Sequence, residues 1–137
     1  MPSRLNPYLS FKDNARQAME FYQSVFGGKL EATTYKESHA SQDPSEDDNV
    51  MHSQLEADNG MFLMAADTPS SMEYTPGASI SISLSGDDQA ELSGYFNKLA
   101  AGGTVTVPLD KAPWGDTFGM CTDRFGTNWL VNILGQH

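Results

Sequence analysis

The sequence predicts an α+β fold made of two copies of one βαβββ module, and two observations lead to that prediction. A strand-like run, an amphipathic stretch, a glycine pair and a second strand-like run follow one another at residues 8–35 and again at residues 80–109. Apolar residues of the two amphipathic stretches match at a constant offset of 74 positions. Self-similarity at a fixed period identifies the repeat unit, so each copy is expected to be one supersecondary unit.

Each amphipathic stretch is predicted to be a helix, near residues 14–26 and 88–101. Its apolar residues recur at the spacing of one helix face, and they are Ala15, Ala18, Met19, Tyr22, Val25 and Phe26 in the first copy and Leu92, Tyr95, Phe96 and Leu99 in the second. Asp13 and Asn14 are expected to cap the first helix, and a capping box from Ser85 to Asp88 is expected at the second. The glycine pairs at 27–28 and 102–103 are expected to end the helices.

The remaining strands are predicted from short apolar runs bounded by turn residues. Residues 50–57 and 61–66 should form a hairpin, because the intervening Asp58, Asn59 and Gly60 favour a tight turn. Residues 104–109, 117–122 and 128–134 should be the last three strands, with a turn from Asp123 to Gly126 between the final two. In that turn Asp123 is expected to be structural, and Trp129 of the last strand is expected in the core.

Length and charge restrict the classes of protein. The 137 residues suit one domain, 1–137, with modules at about 4–67 and 78–135. Eighteen Asp and Glu against eight Lys and Arg give a formal charge of -10, which opposes binding of nucleic acid or of an anionic membrane. No apolar run approaches the roughly 18 residues of a membrane span, and the first residues lack the apolar core of a signal peptide. A cytoplasmic location is therefore expected.

Two further features contain residues found in chemical sites, but each is predicted to have a structural role. Cys121, the single cysteine, is expected to be a small buried strand residue, since no basic residue lies near it in sequence to favour a thiolate. The acidic segment 38–49 is expected to be a mobile, solvated loop. It lacks the central glycine and the closing glutamate of a calcium-binding loop.

Finer motifs mark the whole chain as similar to a known group of proteins. The paired modules resemble the vicinal oxygen chelate superfamily of glyoxalase I, bleomycin-resistance proteins and extradiol dioxygenases. Several motifs look like its PhnB-like branch, often labelled 3-demethylubiquinone-9 3-methyltransferase-like: residues 51–55 (Met-His-Ser-Gln-Leu), 64–67 (Met-Ala-Ala-Asp), Trp114-Gly115, Phe118-Gly119 and the run from Asp123 to Asn132. The resemblance implies a glyoxalase/bleomycin-resistance fold, in which the sheets of the two modules form a cleft, and it implies a homodimer.

Metal-dependent members of the superfamily bind their ion through ligands on the first and last strands of each module. Carried onto this sequence, the resemblance places those positions at Asn6, His52, Ser79 or Ser81, and Leu130. Only His52 is a strong donor, and a divalent ion normally needs about three imidazole, thiolate or carboxylate ligands. No metal and no cofactor are therefore expected.

The expected ligand contacts are Asn6, Tyr8, His52, Ser79, Ser81, Trp114 and Phe118. His52 alternates with Met51 and Ser53, so it shares a strand face with Gln54, and its imidazole suits hydrogen bonding or acid–base chemistry near neutral pH. The alternative for His52 is a polar strand residue with no role in function. The serines at 79, 81, 83 and 85 fit either a ligand-binding row or a solvated strand. Trp114 and Phe118 fit either the wall of a binding site or a packing role at a junction.

Three functions remain open at this point. The first is a metal-independent protein that binds a small molecule in the cleft. The second is a metal-dependent isomerase, lyase or dioxygenase in which His52 is a ligand or an acid–base group. The third is a dimeric interaction module without a ligand. Methyl transfer from S-adenosylmethionine on a doubly wound sheet is not supported, because the junction before the first helix, residues 11–15, lacks a glycine-rich turn.

Overall fold

The computed structural model describes residues 5–38, 43–58, 60–70, 74 and 80–135. The chain divides into two compact units, Met1–Pro76 and Gly77–His137. This boundary falls between the two predicted modules. That both modules form one domain stays a prediction.

Unit 1 is a βαβββ module. Its elements in chain order are β1 (Tyr8–Phe11), α1 (Ala15–Phe26), β2 (Lys29–Thr34), a 3₁₀ turn (Pro44–Glu46), β3 (Val50–Glu56) and β4 (Phe62–Asp67). The sheet order is β1-β4-β3-β2, with β1 parallel to β4 and the other pairs antiparallel. The crossover through α1 returns the chain so that β2 runs in the same direction as β1, and the antiparallel pairs β2/β3 and β3/β4 then leave β4 parallel to β1.

Unit 2 repeats this arrangement. Its elements are β5 (Ile82–Gly86), α2 (Gln89–Ala100), β6 (Thr104–Lys111), β7 (Thr117–Thr122) and β8 (Asn128–Ile133). The sheet order is β5-β8-β7-β6, again with one parallel pair, β5 and β8. The predicted α+β class with paired βαβββ modules is confirmed, and both helices lie within one residue of their predicted bounds.

Strand register shows which residues of the two units occupy equivalent places. Glu56 lies opposite Phe62 at the end of the first hairpin, and Thr122 lies opposite Asn128 at the end of the second. Both hairpin loops therefore contain five residues, and positions on β3 and β4 match those on β7 and β8 at an offset of 66. Tyr8 pairs with Met64 and Ser83 pairs with Leu130, so β1 matches β5 at an offset of 75.

Each helix buries one face against the sheet of its own unit. All six predicted apolar residues of α1 are buried, and α1 contacts β2, β3 and β4. In α2 the buried residues are Leu92, Phe96 and Leu99, whereas the predicted Tyr95 is half-buried and its hydroxyl donates to Glu91 Oε1 at 2.6 Å. Burial of such side chains contributes about 1.5–3 kcal/mol each for a large apolar residue.

The predicted caps at the two helix starts were wrong in detail. Asn14 is the N-cap residue of α1, but its side chain makes no capping hydrogen bond. Instead Asp67 at the end of β4 accepts from the Ala15 N–H at 2.9 Å through Oδ1. At α2 the N-cap is Asp88, which accepts from the Glu91 N–H at 3.0 Å, so Ser85 lies inside β5 and is not the cap.

The repeated glycine pairs have two separate physical reasons. Gly27 and Gly102 have φ of 73° and 79°, a conformation that costs other residues energy. At Gly28 a Cβ would lie 2.1 Å from the carbonyl oxygen of Glu56, and at Gly103 it would lie 2.2 Å from that of Thr122. Gly27 is the C-cap of α1, as expected, whereas α2 ends at the C-cap Ala101, one residue before Gly102. The second glycine of each pair allows the returning strand to approach its neighbour.

Several smaller expectations differ from the structure. The strand predicted from Ile80 begins at Ile82, and Ile80 is 77% exposed. In the hairpin turn, Asn59 lies outside the described residues, as do residues 39–42 of the acidic loop. The described part of that loop contains the 3₁₀ turn, and Glu46 accepts hydrogen bonds from the Ser70 N–H and hydroxyl, each at 3.0 Å. Mobility of the loop stays a prediction.

Neither helix of the described chain could cross a membrane, since each has only 12 residues.

Candidate functional site

Unit 1 has one sheet face covered by α1 and an opposite face that carries two of the predicted site residues, Tyr8 and His52. Along β3, Ser53 and Leu55 are buried on the helix side, whereas His52 and Gln54 are half-buried on the other side. This alternation is the strand period of two, and it confirms that His52 shares a strand face with Gln54. We call the side of the sheet away from α1 the open face.

Tyr8 and His52 meet on this open face. The Tyr8 hydroxyl lies 3.4 Å from His52 Nδ1, and the two ring centroids are 5.9 Å apart with planes inclined at 33°. Tyr8 is 52% exposed, and partial burial of its hydroxyl raises its pKa above 10.0. The hydroxyl therefore keeps its proton at neutral pH and can act as a hydrogen-bond donor.

A second tyrosine lies near this pair, and sequence reasoning missed it. Tyr35 follows β2, and its hydroxyl donates to the Asp67 carbonyl oxygen at 2.7 Å. Burial raises the pKa of Tyr35, as do the charges of Asp67 and Glu46 and, last, the nearby Tyr8. The only signal in the sequence was an aromatic residue at the end of a strand, which is typical of many structural positions.

Strand order changes the assignment of His52 that the resemblance suggested. The superfamily's ligands lie on the first and last strands of each module, but His52 lies on β3, and the last strand of unit 1 is β4. By register the equivalent of Leu130 is Met64, and the equivalent of His52 is Phe118. His52 is thus displaced by one strand from the place expected for a metal ligand.

Strand register also distinguishes Ser79 from Ser81, the two alternatives for the superfamily ligand position on the first strand of the second module. Tyr8 is equivalent to Ser83, and two residues earlier in each unit stand Asn6 and Ser81. Asn6 is half-buried and Ser81 is exposed, and both precede the first strand of their unit. Ser79 lies outside the described residues.

The aromatic pair of unit 2 lies at the start of β7. Trp114 is 55% exposed, and its ring meets the Phe118 ring edge-on, with centroids 5.5 Å apart and planes at 70°. The turn that carries Trp114 is closed by a hydrogen bond from the Ala112 N–H to the Asp116 carbonyl oxygen at 2.7 Å. The buried Asp116 carboxylate accepts in turn from Asn132 Nδ2 at 3.0 Å and from the Gly135 N–H at 2.9 Å. Trp114 is therefore presented by an internally bonded turn.

The remaining sequence candidates are structural, as expected. Asp123 Oδ1 accepts from the Phe125 and Thr127 N–H groups, and its Oδ2 accepts from the Trp129 indole N–H at 2.8 Å. Trp129 is buried, which confirms its place in the core. Cys121 is buried as well, and desolvation, followed by the charge of Asp123, raises its pKa to about 11. A thiol with such a pKa is a poor nucleophile at neutral pH.

Within the described ranges, no group of three or more His, Cys, Asp or Glu side chains is arranged to hold a metal ion. Unit 1 has Asn6 before its first strand and Met64 on its last, and unit 2 has Ser81 and Leu130 at the equivalent positions. In each unit these side chains are poor donors for a divalent ion.

Comparison with known proteins agrees with this architecture. Residues 3–132 match the family model described as 3-demethylubiquinone-9 3-methyltransferase. The structure of protein PA1353 from Pseudomonas aeruginosa is 39% identical, with 96% of this chain and 98% of that chain covered and a TM-score of 0.82.

Two further structures carry family and fold names. A Bacillus cereus protein titled putative 3-demethylubiquinone-9 3-methyltransferase, PhnB protein, is 25% identical, covering 96% of this chain and 100% of that one, with a TM-score of 0.74. A glyoxylase/bleomycin resistance protein/dioxygenase domain from Frankia is 14% identical over 100% of this chain and 94% of that one, with a TM-score of 0.66, and it shows the fold alone. With nearly its whole length matched, this chain belongs to the 3-demethylubiquinone-9 3-methyltransferase-like (PhnB) family and has the glyoxalase/bleomycin-resistance fold.

Proposed function

We propose that the protein binds an organic small molecule on the open face of unit 1, through Tyr8 and His52, and that it does so without a catalytic metal. The observation that carries this proposal is the pairing of an exposed phenol with a half-buried imidazole on a sheet face that its own helix leaves uncovered. A flat aromatic surface beside a few polar groups is typical of small-molecule sites.

The donor set supports a metal-free mode of binding. Since His52 lies on β3, the superfamily's last-strand ligand position falls on Met64 in unit 1 and on Leu130 in unit 2. Neither side chain is an anionic or imidazole donor. A divalent ion loses much of its hydration shell on binding, and one histidine does not compensate for that loss.

Trp114 and Phe118 are proposed as ligand contacts in unit 2. An exposed indole held by a bonded turn offers large contact area at a small cost in conformational entropy. Asn6 and Ser81, which precede β1 and β5, are proposed as polar contacts, while Ser79 stays a candidate from sequence alone.

Protein-observed NMR with a fragment library tests the binding proposal. We expect at least one fragment to shift the resonances of Tyr8 and His52 in the native protein, with its affinity reduced about two- to tenfold in His52→Ala, as for the loss of one hydrogen bond. Tyr95→Phe is the matched control, because its hydroxyl bonds to Glu91 on the surface of α2. Fragments that bind but never perturb Tyr8 or His52 would contradict the proposal.

Elemental analysis tests the absence of a catalytic metal. After dialysis against a chelator, we expect no stoichiometric zinc, nickel, iron or manganese. A metal that survives dialysis in the native protein and disappears in His52→Ala would restore the metal-dependent enzyme as the better hypothesis.

We also propose a homodimer, following the resemblance stated above. Val105 and Val107 on the edge strand β6 are exposed, and apolar side chains on a sheet edge favour pairing with another chain. Sedimentation at micromolar concentration should give twice the chain mass of 14.9 kDa. A single species at the chain mass would show that this proposal is wrong.

A further inference from the structure

Among the described residues, the His52 ring nitrogens have one hydrogen-bond partner, the Tyr8 hydroxyl. Nδ1 lies 3.4 Å from the Tyr8 hydroxyl, and among the described residues no other side chain or backbone group forms a hydrogen bond with the ring. Nε2 is therefore without a protein partner in that part of the chain. Because His52 lies on the open face and is half-buried, Nε2 is the atom available to an incoming molecule.

The direction of the Tyr8–His52 hydrogen bond follows from the chemistry of the two groups. A neutral imidazole has one N–H donor and one bare nitrogen acceptor, and the partner of one nitrogen sets the tautomer of the ring. A phenol is a good donor and a weak acceptor, whereas the bare imidazole nitrogen is a good acceptor. Burial raises the pKa of Tyr8, so its hydroxyl keeps the proton needed for donation.

We propose that the Tyr8 hydroxyl donates to His52 Nδ1 and thereby holds the neutral imidazole with its proton on Nε2, directed at a ligand that carries an acceptor oxygen. Tyr8 is in this respect a positioning residue, since it acts on the ligand through His52. The tautomer of His52 does not depend on the proposed function, whereas the ligand bound by Nε2–H rests on that function.

The net charge of unit 1 indicates which kind of ligand group accepts the hydrogen bond from His52 Nε2–H. Residues 1–76 contain twelve Asp and Glu against five Lys and Arg, so the unit repels an anionic ligand. A carboxylate or phosphate group is therefore a poorer ligand for the Nε2–H donor than the carbonyl oxygen of a neutral amide or ketone. Unit 2 has no such donor at the equivalent place, because Phe118 occupies it.

Long-range ¹H–¹⁵N correlation NMR reports the tautomer directly. The spectrum is recorded at a pH above which the histidine signals no longer change, so that only neutral tautomers are compared. His52→Ala assigns the signals, since the chain also contains His39 and His137. We expect the native protein to carry the proton on Nε2, and Tyr8→Phe to increase the Nδ1–H fraction about two- to tenfold, as for the loss of one hydrogen bond.

The tautomer of the native protein alone does not test the proposal, because free imidazole already prefers the Nε2–H form. The test is the change in the tautomer ratio that Tyr8→Phe causes. Tyr95→Phe should leave the His52 signals unchanged. An Nδ1–H form in the native protein, or an unchanged tautomer ratio in Tyr8→Phe, would overturn the proposal. Neither result depends on whether a ligand has been found.

Two planar isosteres test the ligand class. Benzamide presents a carbonyl acceptor, whereas the benzamidinium cation presents only donors. We expect millimolar benzamide to shift the His52 Nε2 signal, and the shift per added ligand to fall about two- to tenfold in Tyr8→Phe. Equal or larger shifts with benzamidinium, or none with benzamide, would overturn the acceptor class while leaving the tautomer result intact.

Discussion

Units 1 and 2 have the same strand order and hairpin length, but a different carboxylate starts each helix. In unit 2 Asp88 caps α2 from the adjoining position in the chain. In unit 1 Asp67, 52 residues from its partner, accepts from the Ala15 N–H through Oδ1 and from the Val50 N–H through Oδ2, each at 2.9 Å. Its equivalent by register in unit 2 is Ile133, which only packs.

The comparison shows that the same fold can bond the start of a helix in two ways. The acceptor is either a side chain next to the helix in sequence or a buried side chain on a distant strand. A local cap stabilises one helix end. Asp67 is buried and joins three elements, because it bonds the start of α1 and the start of β3 from the end of β4. Its loss should therefore affect the whole of unit 1.

The largest expected effect comes from removing this anchor. Asp67→Ala should lower the free energy of unfolding by about 3–5 kcal/mol, since two buried N–H groups lose a charged acceptor. Asp88→Ala should cost about 1 kcal/mol, the usual value of an exposed cap. Urea denaturation followed by circular dichroism measures the free energy of unfolding of both variants. Equal losses in Asp67→Ala and Asp88→Ala would contradict the proposed difference between the two units.

The glycine pairs give the second comparison. Gly28→Ala combines a φ of 94° with a Cβ 2.1 Å from a carbonyl oxygen, and it should cost about 3 kcal/mol. Gly103→Ala meets the same kind of contact without a left-handed φ, and it should cost about 2 kcal/mol. Gly126→Ala, where a Cβ meets nothing within 4 Å, is the control for φ alone. A smaller loss for Gly28→Ala than for Gly126→Ala would contradict the steric explanation.

Cys121 and its register equivalent Leu55 provide a comparison that depends on pH. Burial holds the pKa of the thiol above its ordinary value of 9.0, at about 11 in the folded protein. Because the folded pKa is the higher one, the neutral thiol favours the folded state below about pH 9, and this contribution is lost as pH rises towards 11. Cys121→Val should remove that part of the stability loss between pH 9 and 11, measured by urea denaturation at each pH.

The smallest expected effect on stability concerns the two tryptophans. Trp114→Phe should change the free energy of unfolding by less than about 0.5 kcal/mol, as for an exposed side chain, while removing the long-wavelength component of the emission. Trp129→Phe should cost about 1–3 kcal/mol, since Asp123 Oδ2 loses its indole donor. Quenching by a ligand that persists in Trp114→Phe would place the ligand away from the aromatic pair of unit 2.

Much of the fold could be predicted because its signals are local. The helix faces, the glycine pairs and the hairpin spacing each depend on residues a few positions apart, and their repetition doubled the evidence for them. The role of Trp129 was also predictable, because a large aromatic residue in a final strand is usually buried. The helix caps were mistaken for a specific reason: a polar residue next to a helix start is only one of the acceptors that the folded chain can bring there.

The candidate site was less predictable, and the assignment of its residues to ligand binding stays a prediction. The sequence by itself determined that His52 and Gln54 share a strand face, and the resemblance indicated that His52 is the one strong donor among the four positions carried over from the superfamily. Only the tertiary structure decided that Tyr8 reaches His52, that Asp67 anchors α1, and that Phe118 is equivalent to His52. The physical reason is that periodicity specifies which way a side chain points, whereas the pairing of strands distant in sequence specifies what it meets.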